Sequence, residues 1–506
     1  MAHPEKPTKI SKLLRIKAQE FLSCTENTAG FLQIIRHFES GADTASCLLA
    51  LDMIFTHLLK DRKMHFEIVP LKAVERSVEN DKRKWLMDTY EECYIKILDC
   101  MDHDNSKVGL QALSTAMSLL ATECRHPLLR YTSDQENYFP VNKLRSVLMK
   151  LLSVKRNNTP LINKHTEYLI FDDILFYTWK LLPSLTAKSN PNELYIMNYL
   201  SLLEKMQIYP NAETKHLCGE DQASLINFDE TLTKKNLNRV WQCIMLWEHT
   251  QETHRQLLVV LLEKVLVHLD KPLILTDFLM DSLDVGGPVS LLALQGIFTM
   301  IQVHNLDYPN IFAKLYSMFE PEIFHTKYKA RLFYLADLFL SSTHLPEMLV
   351  AAFAKRLARL ALLAPSEDII IICHFVGNLI LRHPGLKYLL HNGNGAITSL
   401  DPYIMEERDP LKSNAINSSL WELQTLQSHV QPSVAAAARF IGAPLPSVEW
   451  DIGKVLENSG DDIFDKEIKK MSKLIVLQFE QPKELTLSRG DKSLEDKSND
   501  VHEIVR

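Results

Sequence analysis

Between Leu332 and Leu362 the chain reads LFYLADLFLSSTHLPEMLVAAFAKRLARLAL, and this stretch decides the fold. Leu332, Leu335, Ala336 and Phe339 recur at the spacing that places side chains on one face of a helix. Ser341 to Leu345 is a polar corner, and Pro346-Glu347 opens the next helix. On that helix Leu349, Phe353, Leu357 and Leu360 form a second apolar stripe that packs back on the first. A pair of such helices cannot bury both stripes alone, so neighbouring pairs must stack.

The same texture extends along the chain. Phe31, Ile34, Ile35 and Phe38 form one stripe, and Leu48, Leu49, Met53, Ile54 and Leu58 another. Comparable patterns cover Trp85–Met101, Val108–Leu120, Leu144–Val154, Tyr168–Leu182, Leu194–Met206, Leu237–Trp247, Leu257–Leu269 and Ser290–Val303. Ser366-Glu367-Asp368 offers a capping hydroxyl and two carboxylates to a helix over Ile369–Leu381. Asp409-Pro410 reads as an N-cap followed by the first position of a helix, and Pro432 and Gly442 bracket an alanine-rich helix. No sustained two-residue alternation and no Asn-Gly hairpin between β-branched runs occurs. Only 15 glycines are present among 506 residues, against a usual share of about 7%. The fold class is therefore all-α, a degenerate HEAT- or armadillo-like α-solenoid of stacked helical hairpins, with a helical bundle as the alternative. Residues 1–9 read as a disordered N-terminus, 10–210 as an N-terminal helical-repeat unit, 211–229 as a polar loop, 230–480 as a C-terminal helical unit and 481–506 as a disordered tail.

A formal net charge of −7 supplies none of the concentrated positive field that a nucleic-acid clamp needs. The 8 cysteines form no CxxC pair and the start Met1-Ala2-His3-Pro4 lacks an apolar leader core, which implies reduced thiols of a nuclear or cytosolic protein. Val285–Leu306 holds no Asp, Glu, Lys or Arg, but Gly286, Gly287, Pro288, Gln295 and Gln302 make it a core helix, beginning near Pro288, rather than a membrane span.

Chemistry-bearing motifs are sparse. No Walker loop, HExxH helix, GxSxG elbow or kinase signature is found. Asn392-Gly393-Asn394-Gly395 follows a helix rather than a strand and reads as a turn. Cys124 with His126, His216 with Cys218, and Cys373 with His374 are isolated pairs, short of the four convergent ligands of a structural zinc site. No catalytic residue, metal or cofactor is assigned, and no small-molecule substrate. The cations stand out more. Lys355, Arg356 and Arg359 fall within one turn, opposite the stripe of Leu349 and Phe353, and Lys327 and Arg331 stand at i and i+4. With the polar corner Ser342, Thr343 and His344, they are the candidate contacts for a partner or for RNA; a solvated helix face is the competing reading.

One block is too distinctive for composition to explain: Asn305-Leu306-Asp307-Tyr308-Pro309-Asn310, Lys314-Leu315-Tyr316, Asp337 through Pro346, Leu349 through Leu362, and Arg382-His383-Pro384. Asp401-Pro402-Tyr403 and Ser418-Ser419-Leu420-Trp421-Glu422-Leu423 extend it. From about Val285 to Ile441 the chain resembles the CCAAT-binding-factor-like domain shared by nucleolar complex proteins, whereas the N-terminal half shows only helical texture. The resemblance implies a non-enzymatic α-solenoid of the nucleus and nucleolus. It also implies a stable complex with nucleolar protein 14, a place among small-subunit processome proteins, and support of 18S pre-rRNA maturation and 40S assembly, with pre-rRNA contact weak or indirect. The alternative is a helical-repeat nuclear transport adaptor.

Overall fold

The computed structural model describes residues 9–23, 28–41, 43–68, 77–131, 139–209, 215–218, 228–304, 308, 310–390 and 401–474. The expected frayed start, the turn at Asn392–Gly395, most of the polar loop and the tail beyond 481 lie outside them. Two compact units form, Met1–Asp307 and Tyr308–Arg506.

The first unit contains α1 (Lys9–Ser23), α2 (Ala29–Glu39), α3 (Thr44–Lys60), α4 (Val78–Asp99), α5 (Ser106–Arg125), α6 (Val141–Leu151) and α7 (Thr159–His165). It continues with α8 (Asp172–Leu185), α9 (Glu193–Lys205), α10 (Glu230–Ile244), α11 (Gln251–Val260), α12 (Thr276–Asp284) and α13 (Gly287–His304). Each helix packs on its sequence neighbours or the next pair: α3 on α5, α10 on α8, α11 on α9, α12 on α13. The apolar stripes read from the sequence supply the contact faces, except that Leu49 of the second stripe is 54% exposed. Phe31, Ile34 and Phe38 are buried, as are Leu48, Ile54 and Leu58, and Phe31 stacks on Phe21 with ring centroids 4.8 Å apart. Helix starts follow local chemistry: Ser77, Asn105 and Asp229 each accept a hydrogen bond from a backbone N–H of the turn that follows.

The unit boundary falls at Asp307, not in the polar stretch 211–229. Helix α10, which follows that stretch, packs on α8 from before it, and the Trp247 indole donates to the Ala187 carbonyl at 3.0 Å. Residues 215–218 are themselves pinned: Asp172 N–H donates to the Lys215 carbonyl, Cys218 N–H to Asp173, and Arg125 to the Leu217 carbonyl. Cys124 and Cys218 are joined as a disulfide, which overturns the expectation of reduced thiols for this pair. Burial brings two cysteines 94 residues apart to a Cα separation of 5.4 Å, a proximity with no local sequence signal.

The apolar stretch after Val285 is α13, opened by Gly286 and Gly287 at φ of +87° and +61°. Its Leu291, Leu294, Ile297 and Met300 are core residues, and a Cβ at Gly296 would stand 3.0 Å from Leu279 of α12. Among the described residues no helix is long and apolar enough to cross a membrane. The expected helix Leu257–Leu269 is the end of α11 followed by a π turn (Leu261–Val265) and a 3-10 turn (Leu266–His268). The one extended pairing among the described residues joins Phe66–Ile68 in parallel to Leu129–Tyr131.

The second unit contains α14 (Ile311–Ser317), α15 (Lys329–Phe339), α16 (Glu347–Ala361), α17 (Ser366–Arg382), α18 (Trp421–Leu426), α19 (Pro432–Ala438), α20 (Ile452–Leu456) and α21 (Gly460–Leu474). The hairpin read from Leu332 to Leu362 is α15, an exposed corner and α16. Its core is a run of edge-to-face rings: Tyr316 on Phe353, Phe319 on Phe333, and Phe333 on Phe375, with centroids 5.3, 5.5 and 6.0 Å apart. Three local expectations differ in detail. Ser366 lies inside α17, which Pro365 precedes without a side-chain cap. Asp409 caps a single turn, not a helix, because residues 403–413 wrap over α16 and the Ile404 N–H is spent on the Ser413 carbonyl. Pro432 does open α19, and a 3-10 turn carries it to Gly442.

Two outcomes follow from this packing. Gly377 faces the Trp450 ring, and an added Cβ would lie 2.5 Å from it, while two 2.8 Å bonds between Asn378 and the Trp450 backbone hold that residue in place. Gly377→Ala should therefore destabilise the protein by about 1–3 kcal/mol in urea unfolding. His165 is fully buried with neither ring nitrogen hydrogen-bonded, and burial pushes its pKa down to about 4. The unfolded chain binds a proton there near pH 6.5 and the folded chain does not, so stability should fall as pH drops from about 6.5 to 4, by roughly 3 kcal/mol. In pH-dependent unfolding, His165→Phe should flatten that decline.

Candidate interaction surface

The cations singled out in the sequence divide sharply once folded. Lys355 and Arg356 belong to the interior, which overturns the expectation of an exposed basic face. The segment 401–422 lies across that side of α16 and brings its own carboxylates. Lys355 is 0% exposed, and its Nζ meets the Ser419 carbonyl at 2.6 Å, Glu422 Oε1 at 2.6 Å and Asp401 Oδ2 at 2.8 Å. An ammonium has three donors, so none is left for a phosphate or a partner. Arg356 is equally committed. Its Nε donates to the Phe319 carbonyl at 2.7 Å, its Nη1 to the Met405 carbonyl at 3.0 Å, and the guanidinium lies 4.6 Å over the Tyr316 ring.

Arg359 stands at the rim of the same cluster. It donates to Asp401 at 2.8 Å, lies 2.8 Å from Glu422, and covers the Trp421 ring at 4.8 Å. Trp421 in turn donates its indole N–H to Asp401, as does the Ser418 hydroxyl. Burial pushes the Asp401 carboxyl up, but hydrogen bonds from Lys355, Ser418 and Trp421 outweigh it and hold the group well below the usual carboxylate range. Glu422 is more deeply enclosed, and burial raises it despite Lys355 and Arg359. Two cations and two carboxylates thus neutralise each other beneath an aromatic lid, and the cluster ties α16 to α18.

The second basic pair is not a helix stripe. Lys327 lies in the turn before α15 and Arg331 inside it, both exposed. Between them Lys329 reaches Glu367 at 2.8 Å and Asp368 at 2.9 Å, joining α15 to the start of α17. Ser342, Thr343 and His344 are exposed at the corner between α15 and α16, as their polarity implied. Lys329, Asp401, Trp421 and Glu422 were not among the residues singled out. Their signal is present as acidic residues in the block downstream of a cation-bearing helix, but nothing local pairs Lys355 with a carboxylate 67 residues away.

Nucleophile and metal chemistry find little footing. Burial pushes the Cys373 thiol up to about 12, so it stays a thiol, and the neighbouring His374 packs against Trp450 with ring centroids 5.4 Å apart. The pairs Cys124–His126 and His216–Cys218 do come together, through the disulfide. Among the described residues no group of three or more metal-ligating side chains forms.

Comparison with known proteins settles the kinship. Residues 290–438 match the CBF/Mak21 family, and residues 6–190 match a family described as nucleolar complex protein 4-like, TPR repeats. The chain is 36% identical over 499 residues to nucleolar complex protein 4 homolog A of Xenopus laevis, covering 94% of each. The chain belongs to the nucleolar complex protein 4 family. Its human relative is 36% identical over 76% of this chain and 77% of its own, and that of Saccharomyces cerevisiae 30% identical over 78% and 79%. The family thus extends through the N-terminal half, where the sequence alone showed only helical texture. The description of residues 6–190 as TPR repeats agrees with the helical solenoid of degenerate repeats expected from the sequence. Membership makes this a nuclear protein of the nucleolus.

The buried cluster separates structural from contact residues by experiment. Lys355→Met leaves Glu422 enclosed without its partner and should cost about 3–5 kcal/mol in urea unfolding, part of which Glu422→Met restores in the double variant. Lys327→Glu changes only an exposed position and should stay within about 0.5 kcal/mol of the parent.

Proposed function

We propose that the protein is a non-enzymatic scaffold of ribosome biogenesis, which supports small-subunit assembly and 18S pre-rRNA maturation through a complex with nucleolar protein 14. The observation that carries this reading is full-length kinship to nucleolar complex proteins on a fold made of stacked helices. Stacked helical repeats present long surfaces to which another chain can be held. The interior cations support the same reading from the opposite direction. With Lys355 and Arg356 consumed by the fold, a chain of net charge −7 keeps little concentrated positive charge for RNA on that face, so protein partners account better for its work. The exposed candidates that remain for such contact are Lys327, Arg331, Ser342, Thr343 and His344.

Depletion of the protein should lower newly made 18S rRNA while leaving 28S rRNA unchanged in pulse labelling, and the tagged full chain should retain nucleolar protein 14 after nuclease treatment. Equal loss of both rRNAs, or loss of that partner on nuclease treatment, would reject the reading. Cytoplasm-to-envelope shuttling of the tagged chain would favour a transport adaptor instead.

A further inference from the structure

Helix α21 is seated on one side only. Its Ile463 is buried and Glu467 lies half-buried beside it, 3.0 Å from Lys470, on the side that faces α17. A cavity of about 380 Å³ with Ile370, Ala436 and Val455 on its wall runs alongside, so the seat is loosely filled. On the adjoining face Phe464, Ile468 and Met471 are 63%, 49% and 56% exposed. At i, i+4 and i+7 these three side chains form one continuous stripe along the helix.

The charges nearest that stripe are acidic. The helix carries four carboxylates and four lysines, so it is neutral in sum. At 100° per residue, Asp461 and Asp465 border one edge of the stripe, with Ser472 between them, while Lys466, Lys469 and Lys473 fall on the far side together with Asp462. All seven are exposed. The apolar strip therefore carries exposed negative charge along one edge and no lysine beside it on that edge.

We propose that this face of α21 is the docking site for a basic amphipathic helix of a partner protein. An aromatic and a methionine side chain are the residue types that anchor protein interfaces. Their spacing suits a helix laid along a helix, with apolar anchors every third or fourth residue. Lys or Arg beside the partner's apolar face meets Asp461 and Asp465, whereas an acidic helix or a nucleic-acid backbone is repelled there. The proposal goes beyond the assembly reading, since it fixes the chemistry of the partner segment whichever protein carries it.

The test uses the full chain and three labelled peptides of about 18 residues, or five helical turns. One has leucines at helical spacing bordered by lysines, a second has glutamates in place of the lysines, and a third has the first composition scrambled so that no stripe forms. In fluorescence anisotropy the patterned basic peptide should bind at least about tenfold tighter than either of the others. Phe464→Ser with Ile468→Ser should weaken it about tenfold or more. Asp461→Asn with Asp465→Asn should weaken it several-fold and remove most of its salt dependence. Both variants should keep the parent unfolding midpoint, since the altered side chains stand in water. Equal binding of the scrambled peptide, or full affinity in the Phe464→Ser, Ile468→Ser variant, would overturn the proposal. So would a concentration-dependent dimer in sedimentation that this variant abolishes, since the stripe would then belong to a second copy.

Discussion

An ammonium group shut away from water must find its three acceptors inside the protein, and Lys355 finds all of them on the segment that crosses α16. That requirement organises the second unit. It draws Asp401, Ser419 and Glu422 to one point, and with them the chain from 401 to 422, which has little regular structure of its own. Arg356 repeats the device one residue on, spending its donors on the carbonyls of Phe319 and Met405. The stabilisation per ion pair is modest, because desolvation offsets most of the attraction. What the cluster supplies is a fixed position for the crossing segment, since moving it would leave Lys355 and Glu422 buried without their partners.

The first unit uses the same device elsewhere. Lys143 of α6 is buried against Glu123 of α5 at 2.5 Å and lies 3.8 Å over the ring of Tyr90 from α4, whose hydroxyl donates to the same carboxylate. Three helices are thereby fixed in mutual register by one lysine, one glutamate and one tyrosine. Apolar stripes alone tolerate sliding of one helix past another by a turn. A buried charge that must keep particular partners does not.

How much of this was legible beforehand depends on the range of the interaction. Periodicity is local, so the stripe of Leu332, Leu335, Ala336 and Phe339, the corner at Ser341–Leu345 and the return helix with Leu349 and Phe353 are all where the spacing puts them. Pro288 and its neighbours likewise marked α13 as core. The cations misled for a physical reason. On α16 alone, Lys355 occupies the face away from the leucines, which ordinarily means water, and only a distant segment bearing Asp401 and Glu422 turns that face inward. Arg356, one i+7 step from Leu349, stands beside the apolar stripe, and the opposite face was the wrong one for it. The Cys124–Cys218 link and the stacking of α10 on α8 escaped notice for the same reason, as pairings across long loops leave no trace in spacing. Exposed Phe464, Ile468 and Met471 are the reverse case. Their helical spacing was visible, but only the fold shows that they stand exposed among the described residues.

The central claim is that α16 and the crossing segment form a single cooperative element, and native-state hydrogen exchange on the full chain tests it most directly. The amides of Ile404, Ser418 and Leu420, bonded to Ser413, Ala415 and Leu389, report on the segment, and those of residues 351–361 report on α16. As denaturant is added, the opening free energies of the two groups should merge onto one line. Early exchange of the 404–420 amides while α16 stays protected would show that the buried lysine does not bind them into one structure.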